Sequence, residues 1–203
     1  MRTIIMFCGY IGSGKDSAAN FFIENHNFVN VKMSGDYSRE GSLKRVVWDM
    51  FGLDPSKVED RDFRESPNEN LGGQTPRKAL QFFGHLTRTF LPETWVNNTV
   101  RHIKSLPSNA NIVITDIRYP NEFEAIKKMG DEFNSVFMVA IDKPNLDLSK
   151  PIYNDPSEQS IPALQNLAHY RILNDSTLDV FIDRIHTLSE LIFDSPGECR
   201  LSD

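Results

Sequence analysis

The N-terminal stretch limits the possible folds more than any other part of the chain. Ile4-Ile5-Met6-Phe7-Cys8 is an apolar run that reads as a buried strand. Gly9-Tyr10-Ile11-Gly12-Ser13-Gly14-Lys15 follows as a turn, and Ser17-Ala18-Ala19-Asn20-Phe21-Phe22-Ile23 opens an amphipathic helix. Strand, glycine-rich turn with a lysine, then helix is the arrangement of a phosphate-binding loop. Gly9, Gly12 and Gly14 let the backbone curl so that successive N–H groups converge on an anion. A helix beginning near Lys15 adds the positive end of its dipole, and the lysine ammonium reaches the outer phosphates. The spacing Gly9-x4-Gly14-Lys15 fits the usual pattern, but Asp16 stands where a Ser or Thr hydroxyl would bind magnesium. The hydroxyl comes one position later, at Ser17. A tight strand-to-helix turn that needs glycine only for its shape is the competing reading.

With 203 residues the chain is long enough for one sizeable α/β domain and short for two. A hydrophobic share of 39% and a charged share of 25% are those of an ordinary globular protein. A formal charge of −6 argues against general affinity for nucleic acid or an anionic membrane, because phosphate contacts need a basic surface; a local basic pocket is still allowed. Cys8 lies in the first strand and Cys199 in the tail, which makes a disulfide framework implausible and suits a reducing cytoplasm. The first strand begins without a signal peptide, and no apolar run approaches the ~20 residues of a membrane span.

Further along, Asn27 to Met33 alternates as a short second strand, and Leu43, Val46, Val47, Met50 and Phe51 have helical spacing up to a Gly52 cap. Lys44 and Arg45 on that helix read as a solvated face in preference to a phosphate contact. Residues 54–75 lose all periodicity, which in a compact domain marks a mobile or functional segment. Thr75 and Pro76 then open a helix with Leu80, Phe83 and Phe90 as its core face. Arg77, Gln81 and Arg88 share one side of it, able to hold a phosphate and a base or to form a salt-bridged surface. Pro92 breaks this helix and Thr94 begins another, running to Ser105, in which Trp95 reads as core ahead of a stacking platform.

Asn111 to Asp116 is an apolar strand ending in aspartate, the element a phosphate-loop protein sets beside its first strand, with the carboxylate near metal and terminal phosphates. Arg118 follows at the same rim, where it could serve the phosphates or pair with Asp116. A helix over 121–129 stops at Gly130, and Ser135 to Ile141 is a strand buried on both faces and therefore parallel. Residues 142–156 again lack periodicity and could close over a phosphate donor. A short helix opens at Ser157, Tyr170 to Leu173 is a last strand, and Ser176 with Asp179 caps a final helix lined by Leu178, Phe181, Ile182, Ile185, Leu188 and Leu191. Ser195 onward reads as a frayed tail. Five strands alternating with helices predict an α/β fold with a parallel sheet.

By Asp116 the residues are specific enough for a likeness. The chain resembles the deoxynucleoside monophosphate kinases of tailed bacteriophages and, more broadly, the nucleoside monophosphate kinase-like phosphate-loop fold. Four segments carry the match: Gly12 to Ala19; Leu80 to Gly84 with Arg88 and Trp95-Val96; Thr115 to Glu122; and Pro156 to Glu158 with Ile172 to Asp175. The resemblance implies a single three-layer P-loop kinase domain over 1–203, with a five-stranded parallel sheet flanked by helices. It also implies a helical acceptor-binding insert over about 34–105 and a lid-like segment over about 142–158. It implies transfer of the γ-phosphate of ATP to a deoxynucleoside monophosphate, with Mg2+, in the cytoplasm of a host if phage-encoded, and it is compatible with a homodimer.

Carried over by position, Gly9, Gly12, Ser13, Gly14, Lys15, Asp16 and Ser17 cradle the ATP phosphates, and Lys15 stabilises the transferring group. Asp16, Ser17 or Asp116 holds the metal. Arg88, Arg118 and Asp116 join Lys15 in catalysis, and Arg77, Gln81, Arg88, Trp95, Asn98 and Arg118 contact the acceptor. Gly84-His85-Leu86 departs from the resemblance, which has threonine after the glycine. Another small-molecule kinase of this fold, such as one acting on phosphomevalonate, is the nearest alternative, and a regulatory ATPase is the next. A GTP switch is disfavoured because no Asn-Lys-x-Asp run exists.

Overall fold

Every residue of β1 (Thr3–Cys8) is buried, and the strand is the centre of a five-stranded parallel sheet in the computed structural model, which describes residues 2–194. The tail from Ser195, with Cys199, lies outside the described residues. A strand covered on both faces must be apolar throughout, which is why Ile4 to Cys8 show no alternation. The elements continue with α1 (Lys15–His26), β2 (Val29–Val31), α2 (Leu43–Phe51), α3 (Arg61–Glu65), α4 (Pro76–Phe90) and α5 (Thr94–Ser105). They end with β3 (Ile112–Ile114), α6 (Pro120–Lys127), β4 (Ser135–Asp142), α7 (Pro156–Gln159), α8 (Ile161–Asn166), β5 (Tyr170–Leu173) and α9 (Leu178–Asp194). The chain divides into two compact units, Met1–Val31 with Leu106–Asp203, and Lys32–Ser105.

The first unit holds the whole sheet, in the order β2-β3-β1-β4-β5. Ile4 pairs with Ile112 on one side and Val136 on the other, so β3 lies directly beside β1, as the Asp116 stretch predicts. Side chains alternate between the two faces. Ile5, Phe7, Val113, Val139 and Ile141 meet Ala18, Phe22, Phe181 and Ile185 from α1 and α9, while α6 and α8 cover the opposite face. Each such buried aliphatic or aromatic side chain contributes roughly 1.5–3 kcal/mol relative to exposure.

The structure departs from several local expectations. Leu178 and Leu191 are 62% and 51% exposed, and Ile192 takes the core position instead. Thr177 rather than Ser176 caps α9, its hydroxyl accepting from the Val180 N–H. Gly130 does not stop α6, which tightens after Lys127 into a single 3-10 turn, Lys128–Asp131.

The second unit is helical, with a core of Leu43, Val47, Trp48, Leu53, Ala79 and Trp95. Residues 54–75, read as aperiodic, contain two 3-10 turns, Pro55–Lys57 and Glu69–Leu71, on either side of α3. Asp54, Asn68 and Asp60 respectively cap the three with their side chains. Phe90 is 92% exposed and not a core residue of α4; Val46 and Met50 on α2 are also exposed, and Trp48 takes their place inside. Lys44 is not on a solvated face either. It is buried, and its ammonium pairs with Glu59, whose carboxyl it holds below the usual range against the upward push of burial. Arg45 does lie on the surface, paired with Asp49 one turn on.

Candidate active site

The turn after β1 has the shape that its glycines allow. Gly9, Gly12 and Gly14 take φ of 147°, 80° and 110°, a region L side chains avoid. Gly14 is the N-cap of α1 and no side chain caps that helix, so its first-turn N–H groups face the turn without an intrahelical partner. The Ser13 hydroxyl is buried with no hydrogen-bond partner among the described residues. An open helix end, a curled glycine loop and an orphaned buried hydroxyl fit a phosphate group.

Of the three loop glycines, Gly9 is the most constrained. A β-carbon there would lie 2.6 Å from the Ile141 carbonyl oxygen and 2.7 Å from Ser13 Oγ, whereas at Gly12 it would meet only Leu146, at 3.9 Å. Gly9→Ala is therefore expected to cost about 3 kcal/mol or more, the strained φ alone accounting for roughly 1–3. Gly12→Ala should stay within the strain term, and thermal melts of the two variants check the order.

Lys15 is 8% exposed, and its ammonium donates to the carbonyls of Gly9 (2.7 Å) and Tyr10 (2.8 Å). Burial, and then the nearby Arg118 guanidinium, push its pKa down to about 7, against smaller opposing pulls from Glu158, Asp16 and Cys8. The Cys8 thiol is pushed up to about 12 by burial, so it stays neutral and is no nucleophile.

Asp116 and Arg118 lie just past β3, and Asp142 ends β4, all at the carboxyl edge where open parallel sheets hold ligands. Arg118 pairs with Glu158 of α7, not with Asp116. Asp142 is engaged by Arg171 through Nε (2.9 Å) and by Gln165 (2.8 Å). Three contacts reach the loop from residues more than 130 positions away in the sequence. Asn174 donates to the Ser13 carbonyl at 2.8 Å, the Lys143 ammonium to the Gly12 carbonyl at 3.3 Å, and the Ile11 N–H to Glu158 Oε2 at 2.8 Å. The first two hold the loop from β5 and from the segment after β4.

Among the described residues no group of three His, Cys, Asp or Glu side chains could hold a metal by itself. Magnesium keeps water and substrate phosphate oxygens and takes only one or two protein oxygens. Asp16 and Ser17 in the first turn of α1, and Asp116 beyond β3, are oxygen donors of that kind.

In the second unit, Arg77, Gln81 and Arg88 are all partly buried on α4. The Arg77 guanidinium pairs with Glu65, and Arg88 Nη1 donates to the Gly84 carbonyl at 3.1 Å. Trp95 is core, its indole N–H donating to the same carbonyl at 3.4 Å. Asn98 lines an open cleft of about 450 Å³ with Arg39, Glu40, Gly41, Arg101 and His102, and its Oδ1 is buried without a partner among the described residues. No sequence pattern singles out Arg39 or Arg101, which a loop and a helix bring together.

The parallel sheet and the glycine loop after its central strand define a three-layer P-loop fold. No family model matches the chain. It is 27% identical over 197 residues to a protein of Acanthamoeba polyphaga mimivirus described as "Putative deoxynucleotide monophosphate kinase", covering 90% of this chain and 93% of that one. It is 29% identical over 187 residues to an uncharacterized protein of Ictalurid herpesvirus 1 (strain Auburn), covering 91% of this chain and 69% of that protein. Solved structures it resembles include shikimate kinase from Aquifex aeolicus, at 13% identity and a TM-score of 0.49 over 96% of this chain and 99% of that one. Another is dephospho-CoA kinase from Campylobacter jejuni, at 12% and 0.48 over 96% and 98%. These two relatives are proteins of a mimivirus and a herpesvirus, and they do not show a bacteriophage origin for this chain.

Proposed function

We propose that the chain is an ATP-dependent kinase whose acceptor is a deoxynucleoside monophosphate. The bond from the γ-phosphorus to the ADP oxygen breaks as one forms to an oxygen of the acceptor's phosphate, giving ADP and the deoxynucleoside diphosphate. The observation that carries this reading is the pairing of a buried lysine inside a glycine cradle with a guanidinium close enough to lower its pKa. The description of the mimivirus relative supports the acceptor class.

Phosphoryl transfer asks for in-line positioning and positive charge around the equatorial oxygens more than for an acid or base. The loop N–H groups at Gly12 to Ser17 would bind the donor phosphates, and Lys15 would turn from its two carbonyls to the oxygens of the migrating group. Arg118 would neutralise that group from the β3 side. Asp16, Ser17 or Asp116 would hold magnesium, which would supply positive charge against that of the donor phosphates. Arg77, Gln81, Arg88 and Asn98 would contact the acceptor, while Trp95, which is core, would act only through its packing. An anion reaching Arg77 would compete with Glu65 for it.

The test is ADP release with Mg-ATP and each of dTMP, dGMP, dCMP and dAMP, beside ribonucleotide and phosphomevalonate controls. Release that requires one or more of the four deoxynucleotides supports the proposal. Hydrolysis that ignores every acceptor would point to a regulatory ATPase, and turnover only with a non-nucleotide acceptor to another kinase.

A further inference from the structure

We infer that Glu158 is a positioning residue of the transfer site: its carboxylate bridges the backbone of the phosphate loop and the guanidinium of Arg118, holding the two as one piece. The inference rests on the kinase reading, and it concerns a residue to which that reading gives no role.

Glu158 is 4% exposed, and both its oxygens are used. Oε2 accepts from the Ile11 N–H at 2.8 Å, and Oε1 is paired with Arg118 Nη1. A buried carboxylate beside an anion site works against binding a polyphosphate, so its charge alone does not explain its place. Its geometry does. An arginine side chain has four rotatable bonds, and one left loose must be ordered during each turnover; one held beforehand contributes to the transition state without that loss.

The rest of Arg118 is pinned in the same way. Its N–H donates to Glu122 Oε2 at 2.7 Å, and its carbonyl accepts from the Ser160 hydroxyl. Among the described residues Glu158 is the only partner of its guanidinium, and the side chain is 23% exposed, so one edge is fixed while others can face a ligand. On the loop side, the Ile11 carbonyl accepts from the Tyr153 hydroxyl at 3.3 Å, and the Tyr153 ring meets Tyr10 edge-on at 5.8 Å. Residues 153–158 thus hold both polar groups of Ile11. Lys15 senses the assembly, with Arg118 lowering its pKa and Glu158 opposing that.

The experiment is a double-mutant cycle of Glu158→Gln and Arg118→Ala on the full chain, reading kcat, KM for ATP and melting temperature. Glutamine has the shape of glutamate but one acceptor oxygen, so it cannot serve Ile11 and Arg118 together. Glu158→Gln is expected to lower kcat by tenfold to 100-fold with KM for ATP within about threefold, since small displacements of a transfer group cost that much. In the Arg118→Ala background the same substitution should change kcat by less than about twofold. Unchanged kcat in the single variant, or an equal loss in both backgrounds, overturns the inference. If Glu158→Gln does not fold, Glu158→Asp, which keeps the charge but shortens the reach, is put through the same cycle and judged by the same two outcomes. A wild-type chain that neither binds ATP nor transfers phosphate overturns the kinase reading and this inference with it, whereas wild-type turnover with an additive cycle removes Glu158's role alone.

Discussion

Lys15→Met is expected to reduce phosphoryl transfer by about 10³-fold or more while leaving the melting temperature unchanged or raised. The two halves of that expectation come from the same burial. An ammonium at 8% exposure, with a pKa pushed down to about 7, is held at a cost to the folded state. Methionine fills nearly the same volume without charge. It gives up the two hydrogen bonds to the Gly9 and Tyr10 carbonyls, each worth roughly 1 kcal/mol, and removes the desolvation cost that opposes them. Activity has no such compensation on the proposed reading, because Lys15 is the one cationic side chain that the loop itself carries. Lys15→Ala should lose activity to the same degree and also leave a cavity, so it melts lower than Lys15→Met. Steady-state kinetics beside thermal melts separate the two effects, and near-normal transfer by either variant would show that the site is misassigned.

The parts of this molecule legible in its sequence are those whose physics is local. A five-residue apolar run has one reading as a strand buried on both sides, and three glycines around a lysine have few uses, so β1 and the loop follow directly from their residues. The apolar run ending in Asp116 reads as the strand beside β1, and β3 does pair with β1. The departures have an equally physical origin. Phe90 and Leu178 fit the helical period but are the last and first residues of their helices, and Leu191 fits it too but is exposed while its neighbour Ile192 is buried. Residues 54–75 conceal three single turns because turns this short show no period and are made by their caps. Lys44 reads as a solvated residue because nothing in its own helix announces Glu59, 15 positions later. Glu158 lies 147 residues from the Ile11 N–H that it accepts from, and Asn174 lies 161 from Ser13; a contact of that separation exists only once the sheet has formed.

Affinity for Mg-ATP is expected to fall by close to tenfold per pH unit between about pH 7.5 and 9.5, with nearly one proton taken up per ATP bound. In the ligand-free protein, burial and Arg118 leave Lys15 with a pKa of about 7, so above that pH most molecules carry a neutral amine. Phosphate oxygens arriving in the loop bring negative charge to within reach and favour the ammonium, which must then be formed from solvent. The sign for folding is the reverse. The unfolded chain, with an ordinary lysine at 10.5, binds more protons than the folded one from about pH 7 upward, so the ligand-free protein gains stability from this group as pH rises through that window. Other shifted groups do not interfere, since the Cys8 thiol stays neutral up to about 12 and His26, His102 and His169 are all moved below the ordinary histidine range, chiefly by desolvation. Calorimetric titrations in two buffers of different ionisation enthalpy measure the proton count directly, and Lys15→Met should take up none. An affinity that stays level across this range, or uptake that survives in Lys15→Met, would mean that the ammonium is not what receives the phosphates.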